Sequence, residues 1–92
     1  MPAKVRQHVY YSGRVQGVGF RYNAVRCAGA YDVSGFVRNL DDGRVELVAE
    51  GPKKDVEGLL EDIRNSMARN IRNETSQSEE PQGNYRDFSV RH

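Results

Sequence analysis

Apolar and polar positions along the chain fall into two periods. From Val5 to Ser12, Val5, Gln7, Val9 and Tyr11 share one face at period two, which predicts a strand. Over Arg21 to Tyr31 the period lengthens. Phe20, Ala24, Cys27, Ala28 and Tyr31 recur at helical spacing, with Gly29 weakening the end of that helix. Ser34 to Leu40 is a second strand, rich in β-formers, and Asp41-Asp42-Gly43 is a hairpin turn. Arg44 to Glu50 alternates cleanly, with Val45, Leu47 and Ala49 inward and Arg44, Glu46 and Glu50 outward. Gly51-Pro52 opens a second helix, whose residues Val56, Leu59, Leu60, Ile63 and Met67 form one stripe that reads as core. Ile71 to Ser78 is a polar strand suited to a sheet edge. Glu79 to Asn84 is a turn, and Tyr85 to Val90 is a last short strand with Phe88 and Val90 on one face.

The resulting order, β-α-β-β-α-β plus a short terminal strand, holds two β-α-β units and predicts an α+β, ferredoxin-like split β-α-β sandwich. Right-handed crossovers put both helices on one face of an antiparallel sheet, with the four main strands in the order 4-1-3-2. Modest apolar content, 37% of the 92 residues, suits a sheet covered on one side and a single domain over 1–92. In that order the C-terminal ends of the first two strands share a rim. They stand two strand spacings apart, roughly 10 Å.

The segment after the first strand is unusual. Ser12-Gly13-Arg14-Val15-Gln16-Gly17-Val18-Gly19-Phe20-Arg21 places glycines 13, 17 and 19 between a strand and a helix. Such a curl turns its N–H groups toward a common centre at the positive end of a helix dipole, which makes an anion cradle. Arg21 adds a planar fork of donors suited to two phosphate oxygens. The spacing fits neither Walker A nor the dinucleotide fingerprint. By itself it is also compatible with a tight turn that binds nothing. Arg14, Arg21, Arg38 and Arg44 are expected near this loop, as a solvated face or as a steering patch.

Net charge is +1, so no global field draws in nucleic acid or an acidic membrane. Cys27 stands alone, which excludes an internal disulfide and suits a reducing compartment. His8 and His92 lack partners at ligand spacing, so no metal site is expected. Met1 to Gln7 lacks the apolar core of a leader, and no run is long enough to span a bilayer. A cytoplasmic protein is expected.

Gly13 to Arg21 resembles the signature of the acylphosphatases. Gly35-Phe36-Val37-Arg38-Asn39-Leu40-Asp41-Asp42-Gly43 resembles that family's second signature, and the likeness runs the full length, through Ala49-Glu50-Gly51-Pro52 and Glu79-Glu80-Pro81. The resemblance implies hydrolysis of the carboxyl-phosphate anhydride of small acyl phosphates. It implies Arg21 and Asn39 as catalytic residues, and the backbone of Val15, Gln16, Gly17, Val18, Gly19 and Phe20 as the phosphate cradle. It implies no metal and no cofactor. A monomer acting on a small molecule is expected, with neither nucleic acid nor membrane as partner. Two departures stand out: Ala24 where many members carry Thr, and Phe36 where Trp is frequent. The segment Ser66-Met67-Ala68-Arg69 also lacks the usual Gly or Pro.

Two other readings compete. One is a non-catalytic ferredoxin-like module that senses phosphate or an acyl phosphate. The other is an RNA-binding sheet of the RRM type, but Val45 to Ala49 carries no aromatic residue for stacking. An amide such as Asn39, able to donate and accept, is a means of holding a water in line with phosphorus, which binding alone does not require.

Overall fold

The computed structural model describes residues 3–92. Met1 and Pro2, the start of the stretch read as lacking a leader's core, lie outside them. The elements are β1 (Lys4–Gly13), α1 (Phe20–Ala28), β2 (Ser34–Asn39), β3 (Val45–Pro52), α2 (Lys53–Ser66), β4 (Ile71–Glu79) and β5 (Phe88–Arg91). The strands form one sheet in the order β4-β1-β3-β2-β5. The ferredoxin-like order is therefore present, with β5 added outside β2.

Period two in the strands meets period 3.6 in the helices to build the core. Val9 and Tyr11 on β1, Val37 on β2, and Val45, Leu47 and Ala49 on β3 share the covered face, packed with Val56, Leu59 and Ile63 of α2 and Phe20 and Ala24 of α1. α2 lies over β1 and β3, and α1 over β2 and β5. At ~1.5–3 kcal/mol for each fully buried large side chain, this layer is the main source of stability. The Ala24 departure falls inside it, fully buried, where a methyl fits beneath α1.

Three expectations shift. α1 stops at Ala28 rather than Tyr31, because Gly29 and Ala30 tighten into turns whose amides bond back to Arg26 and Cys27. Tyr31 leaves the helix, and its hydroxyl donates to Asp62 on α2 at 2.6 Å. β3 runs on through Pro52, so α2 begins at Lys53. The sheet is mixed, not wholly antiparallel: β5 pairs with β2 in parallel, Gly35 opposite Phe88 and Arg38 opposite Arg91. The reason is geometric. β4 ends beside the start of β1, where Arg6 faces Glu79, and the start of β2 lies at that same end, where Ser34 faces Glu50. A chain crossing beneath that end re-enters in the direction of β2. Glu50 pins the crossing by accepting the amides of Gln82 and Gly83 at 2.6 and 2.8 Å.

The uncovered face is not the wet surface that alternation predicts. Glu46 and Glu50 are only 6% and 4% exposed. The ring nitrogens of His8 meet Glu46 at 2.7 Å and Glu79 at 2.8 Å, Arg6 donates to Glu79 at 2.8 Å, and Arg38 donates to Glu46. Phe36 and the ring of Tyr85 pack at 5.9 Å beside them, with the guanidinium of Arg91 4.3 Å over Phe36. Charged groups this well paired tolerate burial that a lone carboxylate does not. The Phe36 departure therefore bears on this cover, not on the helical core.

Candidate active site

The loop after β1 is fixed at both ends. Val15 and Phe20 are buried, and Phe20 packs on Tyr11 with ring centroids 4.9 Å apart. Between these anchors Gly17, Val18 and Gly19 are exposed. Gly17 and Gly19 have φ of 72° and 79°, the left-handed region that glycine enters without strain. A Cβ at either would meet nothing within 4 Å, so backbone conformation rather than space demands the glycines.

Gly19 is also the residue that caps α1. It offers no side-chain cap, and the first turn carries no acidic residue. The leading amides of α1 thus lack both intrahelical and side-chain acceptors, and the helix dipole is unneutralised at that end. These are the conditions for holding an anion.

A cavity of about 170 Å³ lies at this point, lined by Val15, Gly17, Gly19, Phe20, Arg21, Tyr22 and Asn39. Both signatures therefore meet in one space. Asn39 reaches it from the end of β2, on the covered face beside Val45 of β3. Its side-chain Oδ1 is buried and accepts no hydrogen bond from the protein. An orphaned amide oxygen is costly unless a donor reaches it, so its position in the cavity matters. Among the described residues Arg21 forms no ion pair. Its Nη1 lies 3.4 Å from Nδ1 of His92, which the parallel course of β5 carries to this rim. No carboxylate lines the cavity. Beneath the loop, Tyr11 is kept protonated, since burial pushes its phenol far up.

Gln16 and Val18 do not line the cavity. Gln16 turns its side chain the other way, and its Nε2 donates to the carbonyls of Leu40 at 2.7 Å and Arg44 at 2.9 Å. The loop is thereby tied to the hairpin that carries Asn39. The expected grouping of four arginines is dispersed. Arg38 goes to Glu46, Arg44 goes to Asp42 and the face of Tyr10, and Arg14 lines a separate cleft with Arg69 and Arg72. Only Arg21 of the four lines the cavity. Tyr22, not singled out in the sequence, is exposed and lines the cavity. Its position off the Phe20–Ala24–Cys27–Ala28 stripe was the signal available for this.

The family model for acylphosphatase matches residues 7–90. The chain belongs to the acylphosphatase family. The acylphosphatase of Natronomonas pharaonis is 55% identical over 60 residues, 65% of either chain. That of Bacillus velezensis is 40% identical over 94% of this chain and 97% of its own. Among solved structures, the acylphosphatase from Bacillus subtilis superposes with a TM-score of 0.85 at 30% identity, covering 96% of this chain and 99% of that one.

Among the described residues no group of three or more His, Cys, Asp or Glu could hold a metal ion. No described helix is long and apolar enough to cross a membrane.

Proposed function

We propose that the cavity between the glycine loop and Asn39 hydrolyses small acyl phosphates to a carboxylate and inorganic phosphate. Membership in the acylphosphatase family supports the activity. The observation that supports these residue roles is the convergence of Arg21, the loop and Asn39 on one cavity.

In this reading the loop amides from Val15 to Phe20 and the guanidinium of Arg21 bind the phosphoryl oxygens. They hold the charge that builds there as the bond to the acyl oxygen loosens. Asn39 accepts a hydrogen bond from a water and sets it in line with phosphorus. That water forms the new P–O bond. The bond to the carboxylate oxygen breaks, and the carboxylate leaves with the electron pair. One proton of the water passes to a phosphoryl oxygen, giving a carboxylate and dihydrogen phosphate. The carboxylate is a stable leaving group, so the site needs no strong nucleophile. The cavity lining accordingly offers no serine, cysteine or carboxylate. A single sheet supports reading 1–92 as one domain, a free Cys27 suits a reducing, cytoplasmic setting, and the small cavity suits a small-molecule substrate.

The experiment is carboxylate release from benzoyl phosphate and acetyl phosphate under excess chelator. Turnover by wild type, with kcat lost and inhibition by inorganic phosphate retained in Asn39→Ala, is expected. Phosphate binding by wild type without turnover would instead favour a phosphate-sensing module.

A further inference from the structure

The cavity is small for a whole substrate. At about 170 Å³ it is well below the ~300–1,000 Å³ of pockets that enclose drug-sized ligands. It accommodates a phosphoryl group and a water, so the acyl group has to lie across the mouth. The mouth is apolar where apolar surface is otherwise scarce. Among the described residues Tyr22 and Val18 are the exposed large hydrophobic ones, at 78% and 37%, and they flank the same loop–helix junction. Tyr22 follows Arg21 directly in the first turn of α1 and lines the cavity itself, while Val18 is exposed on the loop between Gly17 and Gly19. Neither contributes to the core. A tyrosine ring held by a helix loses little freedom when a flat apolar group stacks on it.

We propose that Tyr22, with Val18, forms an acyl-group platform that makes this site selective for acyl phosphates with an aromatic or bulky apolar acyl part. The proposal rests on the hydrolase reading above. Tyr22 and Val18 are specificity-determining residues on this view and take no part in bond making. The platform touches the leaving group and leaves the phosphoryl end to the loop and Arg21.

The test compares kcat/KM for benzoyl phosphate and acetyl phosphate in wild type, Tyr22→Ala and Tyr22→Phe. Tyr22→Ala should lower the benzoyl-to-acetyl ratio about fivefold, the usual scale of one aromatic contact. The change should appear mainly in KM for benzoyl phosphate, with inhibition by inorganic phosphate little altered. Tyr22→Phe should restore the ratio, since the ring and not the hydroxyl is used. Tyr22 is surface-exposed, so these variants should fold, and circular dichroism checks that they do. An unchanged ratio in Tyr22→Ala overturns the platform while leaving the hydrolase reading in place. Failure of wild type to turn over either compound overturns both.

Discussion

The side-chain amide of Gln16 donates to Leu40 and Arg44, on either side of the turn that comes after Asn39. One residue thus ties the glycine loop to the hairpin that carries Asn39, the two parts of the site proposed above. Gln16→Ala removes both bonds, each worth ~1 kcal/mol. We expect kcat/KM to fall about tenfold and the thermal midpoint to drop by roughly 5–15 °C, since both lost bonds also count toward folding. Gln16→Glu should do worse, facing two carbonyls with an acceptor and placing an anion beside the cradle. Steady-state kinetics with parallel melting curves separates the two effects.

Arg21 brings a forked cation to the cavity with no carboxylate to neutralise it. Arg21→Ala should cost about 3–4 kcal/mol of transition-state stabilisation, by the scale of a lost oxyanion donor. Arg21→Lys should recover little, since an ammonium is a point charge. Weakened inhibition by inorganic phosphate in both variants is the accompanying observation.

Gly19 combines two duties, left-handed backbone and helix cap. Gly19→Ala meets no steric neighbour but places a Cβ in the left-handed region, at ~1–2 kcal/mol. The loop relaxes the strain by moving. The variant should remain folded by circular dichroism and lose phosphate affinity by about tenfold.

The charge cluster on the uncovered face gives an acid limb to stability. Burial pushes the Glu46 carboxyl up, but hydrogen bonds from His8 and Arg38 outweigh this and hold it below the ordinary carboxylate range. Glu79 is lowered by its bonds from His8 and then Arg6. Groups lowered on folding stabilise fully above their unfolded pKa. The stabilisation fades as pH drops through that value toward the folded one. Urea midpoints should therefore fall as pH drops below the ordinary carboxylate range. Glu46→Gln should lower the neutral midpoint by about 2 kcal/mol equivalent and flatten the acid limb.

Much of this was legible in the residues themselves. Period two in β3 and the Val56–Met67 stripe of α2 are direct consequences of burial on one face, and the structure places them accordingly. The course of the loop was legible because Gly17 and Gly19 mark left-handed backbone that other residues avoid. What alternation does not carry is the far face of the sheet. Glu46 and Glu50 read as solvated because period two says which side a residue faces, not what covers that side. Their cover comes from Arg6, His8 and Tyr85, distant in sequence. The direction of β5 was hidden likewise, since Phe88 and Val90 share a face whichever way the strand runs. In the site, Gln16 stood inside the recognised loop, yet only three-dimensional placement reveals that its side chain serves the opposite hairpin.

β1 and β2 are not neighbours; β3 lies between them. The cradle and Asn39 therefore belong to strands that cannot align until the central strand has joined both. Pairings over such sequence separations form slowly. Recovered activity during refolding consequently times the completion of the sheet, and a fragment that ends before β3, left with only the nine-residue α1 as a helix, should regain no turnover.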